Sequence, residues 1–205
     1  MSPLRLRSAP TPRVSLHRLG RLPNPLDWPP ADRIGANRFD DPARHFRALY
    51  AARQRTARFA ATLAAFRPSL ELLADVSAGF LRARGTATFQ LRRGRWLDVR
   101  RLPTLEALRS AFGPRLHEFG LADVDLGGVC GPERAFTQAV AAWAYGNGYH
   151  GIVYASRFGA SFECWAIFDS ASIESVGPIV PISLDDTDLQ AVARVFALQL
   201  PSVLR

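Results

Sequence analysis

The sequence predicts an α+β domain with a small, twisted, mostly antiparallel sheet flanked by helices. Three observations predict it. Short runs alternate apolar and polar residues, as in Val14–Leu19 (VSLHRL) and His45–Ala51 (HFRALYA). Two longer segments, Arg53–Phe66 and Glu133–Tyr145, repeat apolar residues at helical spacing. In the C-terminal half, two apolar runs, Gly151–Ala155 and Phe162–Phe168, are joined by a short polar link, Ser156–Ser161.

Each element has a local reason. Val14–Leu19 is a first strand with Arg18 near its end. Leu22–Pro30 holds four prolines and is an irregular loop. Arg38–Pro42 (RFDDP) is a tight, exposed turn, because two Asp precede a Pro. The strand at His45–Ala51 runs into an Ala-rich helix, Arg53–Phe66, with Phe59, Leu63 and Phe66 inward and Pro68 as its stop. Ser69–Asp75 adds a helical turn. TATFQL and RWLDV, around Arg92-Arg93-Gly94, give a hairpin signal. Thr104–Phe112 is a short helix that Thr104 caps and Gly113-Pro114 ends. Gly120–Pro132 is a Gly- and Asp-rich loop, with room for a short strand. Glu133–Tyr145 buries Phe136, Val140, Trp143 and Ala144, and Gly146-Asn147-Gly148 ends it. A final amphipathic helix starts at Asp185 or Asp186 and runs to about Leu200, with Leu189, Val192, Phe196 and Leu200 inward.

Composition sets the boundaries. The chain of 205 residues is 48% hydrophobic and 21% charged, so it has core enough for one domain, taken as residues 14–205. Residues 1–13 are rich in Pro, Ser and Arg and lack an apolar stretch, so they read as a loose segment and not as a secretory signal. No apolar run is long enough to span a membrane. Cys130 and Cys164 do not make a disulfide framework, which points to a reducing cytoplasm. His17, His45, His117 and His150 are scattered, with no spacing suited to a metal.

All 26 basic residues are arginine, and the net charge is +8. Residues 1–60 hold 12 Arg against 4 Asp, and the remaining residues hold 14 Arg against 14 acids. The positive field therefore belongs to the N-terminal third, as an anion site or the face for an acidic partner would require. An Arg-only set is equally a mark of a GC-rich genome, with most of these side chains solvated. A strand that leads into a helix carries its last side chains to a sheet rim, where Arg38 and Tyr50 would stand. An arginine and an aromatic ring there suit an anionic, ring-bearing ligand such as a nucleotide. Ser156 and Arg157, directly after a core strand, fall on a rim as well.

The unit GYHGIVYASR followed by CWAIFD, preceded by TQAVAAWAYGNG, resembles the C-terminal signature of the RES-domain family. RFDDPARHFRALYAA…RFAATLAAFRP resembles its N-terminal half, and the likeness covers about residues 14–170. The resemblance implies an ADP-ribosyltransferase-like fold. It also implies a toxin of a toxin–antitoxin pair that destroys NAD at the nicotinamide–ribose bond, by hydrolysis or phosphorolysis, and is neutralised by a helix-turn-helix antitoxin. By position, Arg18 and Arg38 match the family's two site arginines, Tyr50 its tyrosine and Ser156 its serine. Arginine suits the pyrophosphate of NAD, which it grips with paired charged hydrogen bonds. Without the resemblance, Arg18 is a strand-end surface residue, Tyr50 an aromatic of the core and Ser156 a turn residue. His45 and Arg157 are neighbours that could support the site.

One position departs from the family. The helix after the tyrosine strand is expected to carry a glutamate, and here that position is Ala61, in RFAATLAAF. Cleavage at an anomeric carbon passes through an oxocarbenium-like state, which a carboxylate stabilises and alanine does not. Glu71 is out of register as a substitute, and Glu163 faces core or rim according to strand phase. The match on both sides of Ala61 favours a glutamate replaced by alanine, an inactivated or weakened enzyme, over a degenerate relative. The expected partners are NAD, as substrate, and an antitoxin, with a homodimer left open; no metal, membrane or direct nucleic-acid contact is expected. The alternative is a non-catalytic interaction module whose basic third docks an acidic partner, and a nucleic-acid-binding protein is a third reading.

Overall fold

Alternation of apolar and polar side chains decides which face of each strand is buried. In β4, Gly85, Ala87, Phe89 and Leu91 point inward while the residues between them reach the surface to varying degrees. The computed structural model describes residues 8–63, 66, 74–131 and 133–204. In chain order its elements are β1 (Leu16–Arg21), a 3-10 turn (Ala31–Arg33), β2 (Ala48–Ala52), α1 (Arg55–Leu63), β3 (Ala74–Asp75), α2 (Ala78–Arg82) and β4 (Arg84–Leu91). There follow β5 (Trp96–Asp98), α3 (Leu102–Phe112), a 3-10 segment (Gly113–Phe119), α4 (Leu126–Cys130), α5 (Ala135–Gly146), β6 (Gly151–Ser156), β7 (Gly159–Phe168), β8 (Ile173–Ser175), β9 (Val180–Pro181), α6 (Thr187–Val195) and β10 (Leu198–Gln199). They fall into two compact units. The first takes residues up to Pro12, Trp28–Tyr50 and Leu91–Ser172, and the second takes Arg13–Asp27, Ala51–Gln90 and Ile173–Arg205.

In the first unit, β5, β6, β7 and β2 lie side by side. β5 runs parallel to β6, with Trp96 opposite Gly151. β6 and β7 form the expected antiparallel pair, with Val153 opposite Trp165, and the register shifts between Ala155 and Ser156. Such a shift re-aims the side chain beside it, here Ser156. α5 lays Phe136, Val140, Ala141 and Ala144 into a core with Ile152, Ala166 and Phe168 of the sheet and Leu105, Leu108 and Phe112 of α3. Ala9, in the stretch expected to be loose, bridges Trp96, and Thr11 accepts from the Gly94 amide (3.2 Å) and the Trp96 indole (3.1 Å).

In the second unit, β1 is antiparallel to β4 from Leu16–Phe89 to Arg21–Arg84 and meets β2 at His17–Ala52. β9 pairs with the start of β4, and β8 lies alongside β4. α1 packs on β1 and α6 through Ala57, Phe59, Ala60 and Leu63 on its own side and Leu189, Val192 and Ala193 on that of α6. Gly20 and Gly85 are close-packed backbone: a methyl group on Gly20 would press on the Pro25 carbonyl at 2.6 Å.

The structure corrects five elements of the sequence reading. TATFQL and RWLDV are strands but not a hairpin: β4 pairs with β1 and β9, whereas β5 pairs with β6. Thr104 is no cap. α3 starts at Leu102 with Pro103 in its first turn, where a missing amide hydrogen costs nothing, and Thr104 is buried within it. Gly120–Pro132 is not only loop, because Asp125 caps α4 by accepting from Gly128 N at 2.7 Å. β2 begins at Ala48, since Asp41 wraps residues 43–45 into a turn that includes Arg44 at φ 64°. α6 stops at Val195. Ala197 turns left-handed at φ 50°, and Leu198–Gln199 then pairs in parallel with Ala74–Asp75. Pro68, Glu71 and most of the turn expected over Ser69–Asp75 lie outside the described residues.

Gly151 gives the fold a test. It takes φ 159° opposite Ile167, and a Cβ there would fall on the Ala166 carbonyl oxygen and within 2.9 Å of the Trp96 ring. Gly151→Ala is expected to lower stability by about 1–3 kcal/mol, the range for overpacking a tight site, read from the urea midpoint. An unchanged midpoint would show that the β6–β7 contact relaxes without cost.

Candidate functional site

The turn that joins Gly35 to β2 is built around two buried carboxylates. Asp40 is 3% exposed. Its Oδ2 accepts from Gly35 N (3.1 Å), Asn37 N (2.8 Å) and Asn37 Nδ2 (3.0 Å), and its Oδ1 accepts from the Tyr50 hydroxyl at 2.8 Å. The Tyr50 oxygen in turn accepts from Phe39 N at 2.9 Å. Asp41 accepts from Ala43 N (2.9 Å) and His45 N (2.6 Å), with the exposed His45 ring 3.0 Å away. On the other side, Gln138 of α5 donates to the carbonyls of Gly35 (2.9 Å) and Asn37 (3.0 Å), and Arg134 donates to that of Ala36. Every donor and acceptor named here belongs to the first unit.

Arg38 projects from this turn. Next to it Phe39 is fully buried, its ring 4.9 Å from that of Tyr154. The Arg38 guanidinium is half-buried and donates through Nη1 to the Val129 carbonyl at the end of α4 (3.3 Å). Among the described residues no carboxylate lies within ion-pair distance of it. Burial pulls its pKa down; Tyr154, Cys130 and Tyr50 pull the other way, and Arg157 adds to the depression.

The groups around Arg38 are held neutral. Burial, and then the charge of Asp40, pushes the Tyr50 hydroxyl well above its ordinary range, so it stays a hydrogen-bond donor. Tyr154 is raised in the same way, first by burial. Cys164, opposite Tyr154 on β7, shares hydrogen bonds with Tyr154 and Ser156, and burial pushes its thiol up to about 12. Cys130 donates to the Ala155 carbonyl at 3.4 Å and is also raised by burial. Both shifts favour the protonated thiol over the thiolate. Ser156 is 9% exposed, and its Oγ accepts from Phe158 N at 3.1 Å. Arg157 is exposed, over the Phe158 ring at 4.8 Å. Glu163 is held by Arg100 (2.8 Å) and the Trp165 indole (3.2 Å). An open groove of ≈ 690 Å³ lies elsewhere, along Leu102, Leu105, Glu106, Val124 and Leu126, and holds none of these site groups.

The second unit carries the other two expected positions. Arg18 on β1 is part-buried, and its Nε donates to the Pro25 carbonyl at 2.6 Å. Ala61 is exposed in the last turn of α1. One turn earlier, Arg58 is 5% exposed, with Nη2 on Asp186 Oδ2 at 3.2 Å. Arg55 and Thr56 both bond Asp188, at 3.1 and 2.5 Å. His17 Nδ1 lies 3.1 Å from the Thr88 hydroxyl.

The RES domain family matches residues 12–185, most of the chain. The chain belongs to that family. Among solved structures, this RES domain is similar to a chain of the M. tuberculosis MbcT–MbcA toxin–antitoxin complex, with a TM-score of 0.62 at 14% identity, over 93% of this chain and 91% of that one. That likeness is one of fold, a mostly antiparallel sheet with flanking helices. No curated protein matches.

Of the positions expected for a RES site, Arg38, Tyr50 and Ser156 all belong to the first unit. Arg18 and Ala61 both belong to the second. Sequence reading missed Asp40, Tyr154 and Cys164. The one signal available was the Asp pair before Pro42, which reads as an exposed turn and is in fact a buried one.

In the second unit of the RES domain, burial first, then the charges of Arg58 and Arg55, lowers the His17 pKa from its ordinary 6.5, while Asp188 acts the other way. The folded state favours the neutral ring, so its stabilisation is whole above pH 6.5 and is lost as pH falls below that value. The urea midpoint is expected to fall between about pH 7 and pH 5, and His17→Gln to flatten part of that fall. An identical slope in the two proteins would remove His17 from the acid response.

Proposed function

We propose that this RES-domain protein binds NAD, and that it is the toxin scaffold of a toxin–antitoxin pair whose NAD-cleaving activity is weakened by Ala61. The observation that carries the reading is Arg38: a half-buried guanidinium with no carboxylate partner among the described residues, in the turn that precedes β2, beside aromatic rings. A cation desolvated in this way is stabilised by an incoming anion, and a pyrophosphate accepts the two parallel hydrogen bonds that arginine offers. The Tyr50 hydroxyl is engaged by Asp40 and Phe39, so its offer to a ligand is its ring face. Ser156 stands at the register shift of β6 as a hydroxyl for ribose or nicotinamide amide.

The reaction implied breaks the bond between the ribose anomeric carbon and the nicotinamide nitrogen. The bonding pair leaves with nicotinamide, and water or phosphate adds to the cationic sugar carbon. A carboxylate at position 61 would meet the positive charge as it develops, a contribution made only in the transition state. Ala61 supplies none. Because that position is exposed, a glutamate there would be solvated and free of any burial penalty. The similar M. tuberculosis chain comes from a toxin–antitoxin complex, which supports a protein antitoxin as partner. A non-catalytic interaction module is the second reading. It is favoured by the groove beside α3 and α4, where Leu102 and Leu126 are 79% and 48% exposed.

Two outcomes are expected. Arg38→Ala should weaken binding of NAD or ADP-ribose by about 1.5–3 kcal/mol, the scale of hydrogen bonds to a charged group, as measured by calorimetry. Ala61→Glu should give a protein that consumes NAD in vitro and depletes it on expression, with turnover about 100–1000-fold above the Ala61 form. Assays with and without phosphate separate phosphorolysis from hydrolysis. A stable Ala61→Glu protein that leaves NAD intact in both would reject the cleavage reading in favour of the interaction module.

A further inference from the structure

Arg38 and Asp40 stand two residues apart with opposite charges, yet they do not pair. The Asp40 carboxylate is filled by three N–H groups of Gly35 and Asn37 and by the Tyr50 hydroxyl. Its charge is thus spent on the shape of the turn. Tyr50 passes that constraint on, since its oxygen holds Phe39 N at 2.9 Å, directly beside Arg38. Phe39 is locked by full burial against Tyr154, and the Arg38 fork meets the Val129 carbonyl at 3.3 Å. α5 grips the turn from outside through Gln138 and Arg134.

We infer that Asp40 is the positioning residue of the anion site: acting through Tyr50 and Phe39, its buried carboxylate fixes the direction of the Arg38 guanidinium toward the phosphates of the ligand. The inference rests on the NAD-binding reading above. Asp40 touches no ligand. It keeps Arg38 available in two ways, by aiming the backbone and by being too fully hydrogen-bonded to neutralise the guanidinium itself. A carboxylate with fewer donors around it would turn to the nearby cation and close the site.

The test is a double-mutant cycle on ADP-ribose affinity, using Asp40→Asn, Arg38→Ala and the pair, with nuclear magnetic resonance titration at millimolar ligand for the weakest forms. Asparagine keeps the size of Asp40 and can still accept from the loop amides, but its amide nitrogen cannot accept the Tyr50 proton. Asp40→Asn is expected to weaken ADP-ribose about tenfold, the order of loss when a positioned group is misaligned, and to add less than about twofold once Arg38 is already alanine. Equal losses in both backgrounds would mean that Asp40 only holds the fold, and full affinity in Asp40→Asn would likewise overturn the inference. If Arg38→Ala binds as tightly as the parent, it is the NAD-binding reading that falls. Should Asp40→Asn fail to fold, Tyr50→Phe, which keeps the ring and removes the same link, takes its place in the cycle, with the same non-additive loss expected and an additive or absent loss decisive against.

Discussion

The Asp40 carboxylate is the constraint on which the turn from Gly35 to β2 depends. An ionised carboxylate removed from water is strongly disfavoured unless donors replace its hydration. Four do so here, three from the turn and one from β2. The turn cannot open without stranding that charge, and Tyr50 cannot rotate away without leaving both Asp40 and the Phe39 amide unsatisfied. A loop that would otherwise be a mobile surface link is thereby as fixed as the sheet it leads into. α5 adds donors from the opposite side, so the segment between Gly35 and Asp40 is bonded through both its carbonyls and its amides.

Arginine serves two ends in this chain, and the difference lies in what surrounds each side chain. Arg58 is almost fully buried, bonds Asp186 and stacks on Phe59 at 4.7 Å. Arg100 bonds both oxygens of Asp98 at 2.8 Å and also reaches Glu163, which raises its pKa further. Both are structural clamps with their charge met inside the protein. Arg38 is half-buried and meets a carbonyl in place of a carboxylate. That contrast sets Arg38 apart, because composition alone makes every basic residue of this protein look alike.

Much of the fold was legible because periodicity is a local property. The α5 stripe, the β6–β7 pair and the start of α6 follow from spacing and caps, and Asp186 does cap α6. What failed was non-local. Arg92-Arg93-Gly94 has the chemistry of a hairpin turn, but pairing is decided by which strand offers a complementary edge, and β5 takes β6 from more than fifty residues away. The length of α6 likewise depends on a distant partner, the Ala74–Asp75 strand, which draws Leu198 out of the helix. At the site, Arg38, Tyr50 and Ser156 could be found only as a motif. The burial of Asp40 was hidden because an Asp before a proline turn has the same signature whether it faces water or, as here, a ring of N–H and O–H donors.

The exposure of Ala61 has an evolutionary corollary. A side chain at an exposed helical position is exchanged between alanine and glutamate for less than about half a kcal/mol of helix propensity, so selection for folding barely sees the change. Alanine and glutamate codons that end in a purine differ by a single base. With such a codon at position 61, one mutation exchanges alanine for a carboxylate there and leaves the rest of the helix and its packing intact.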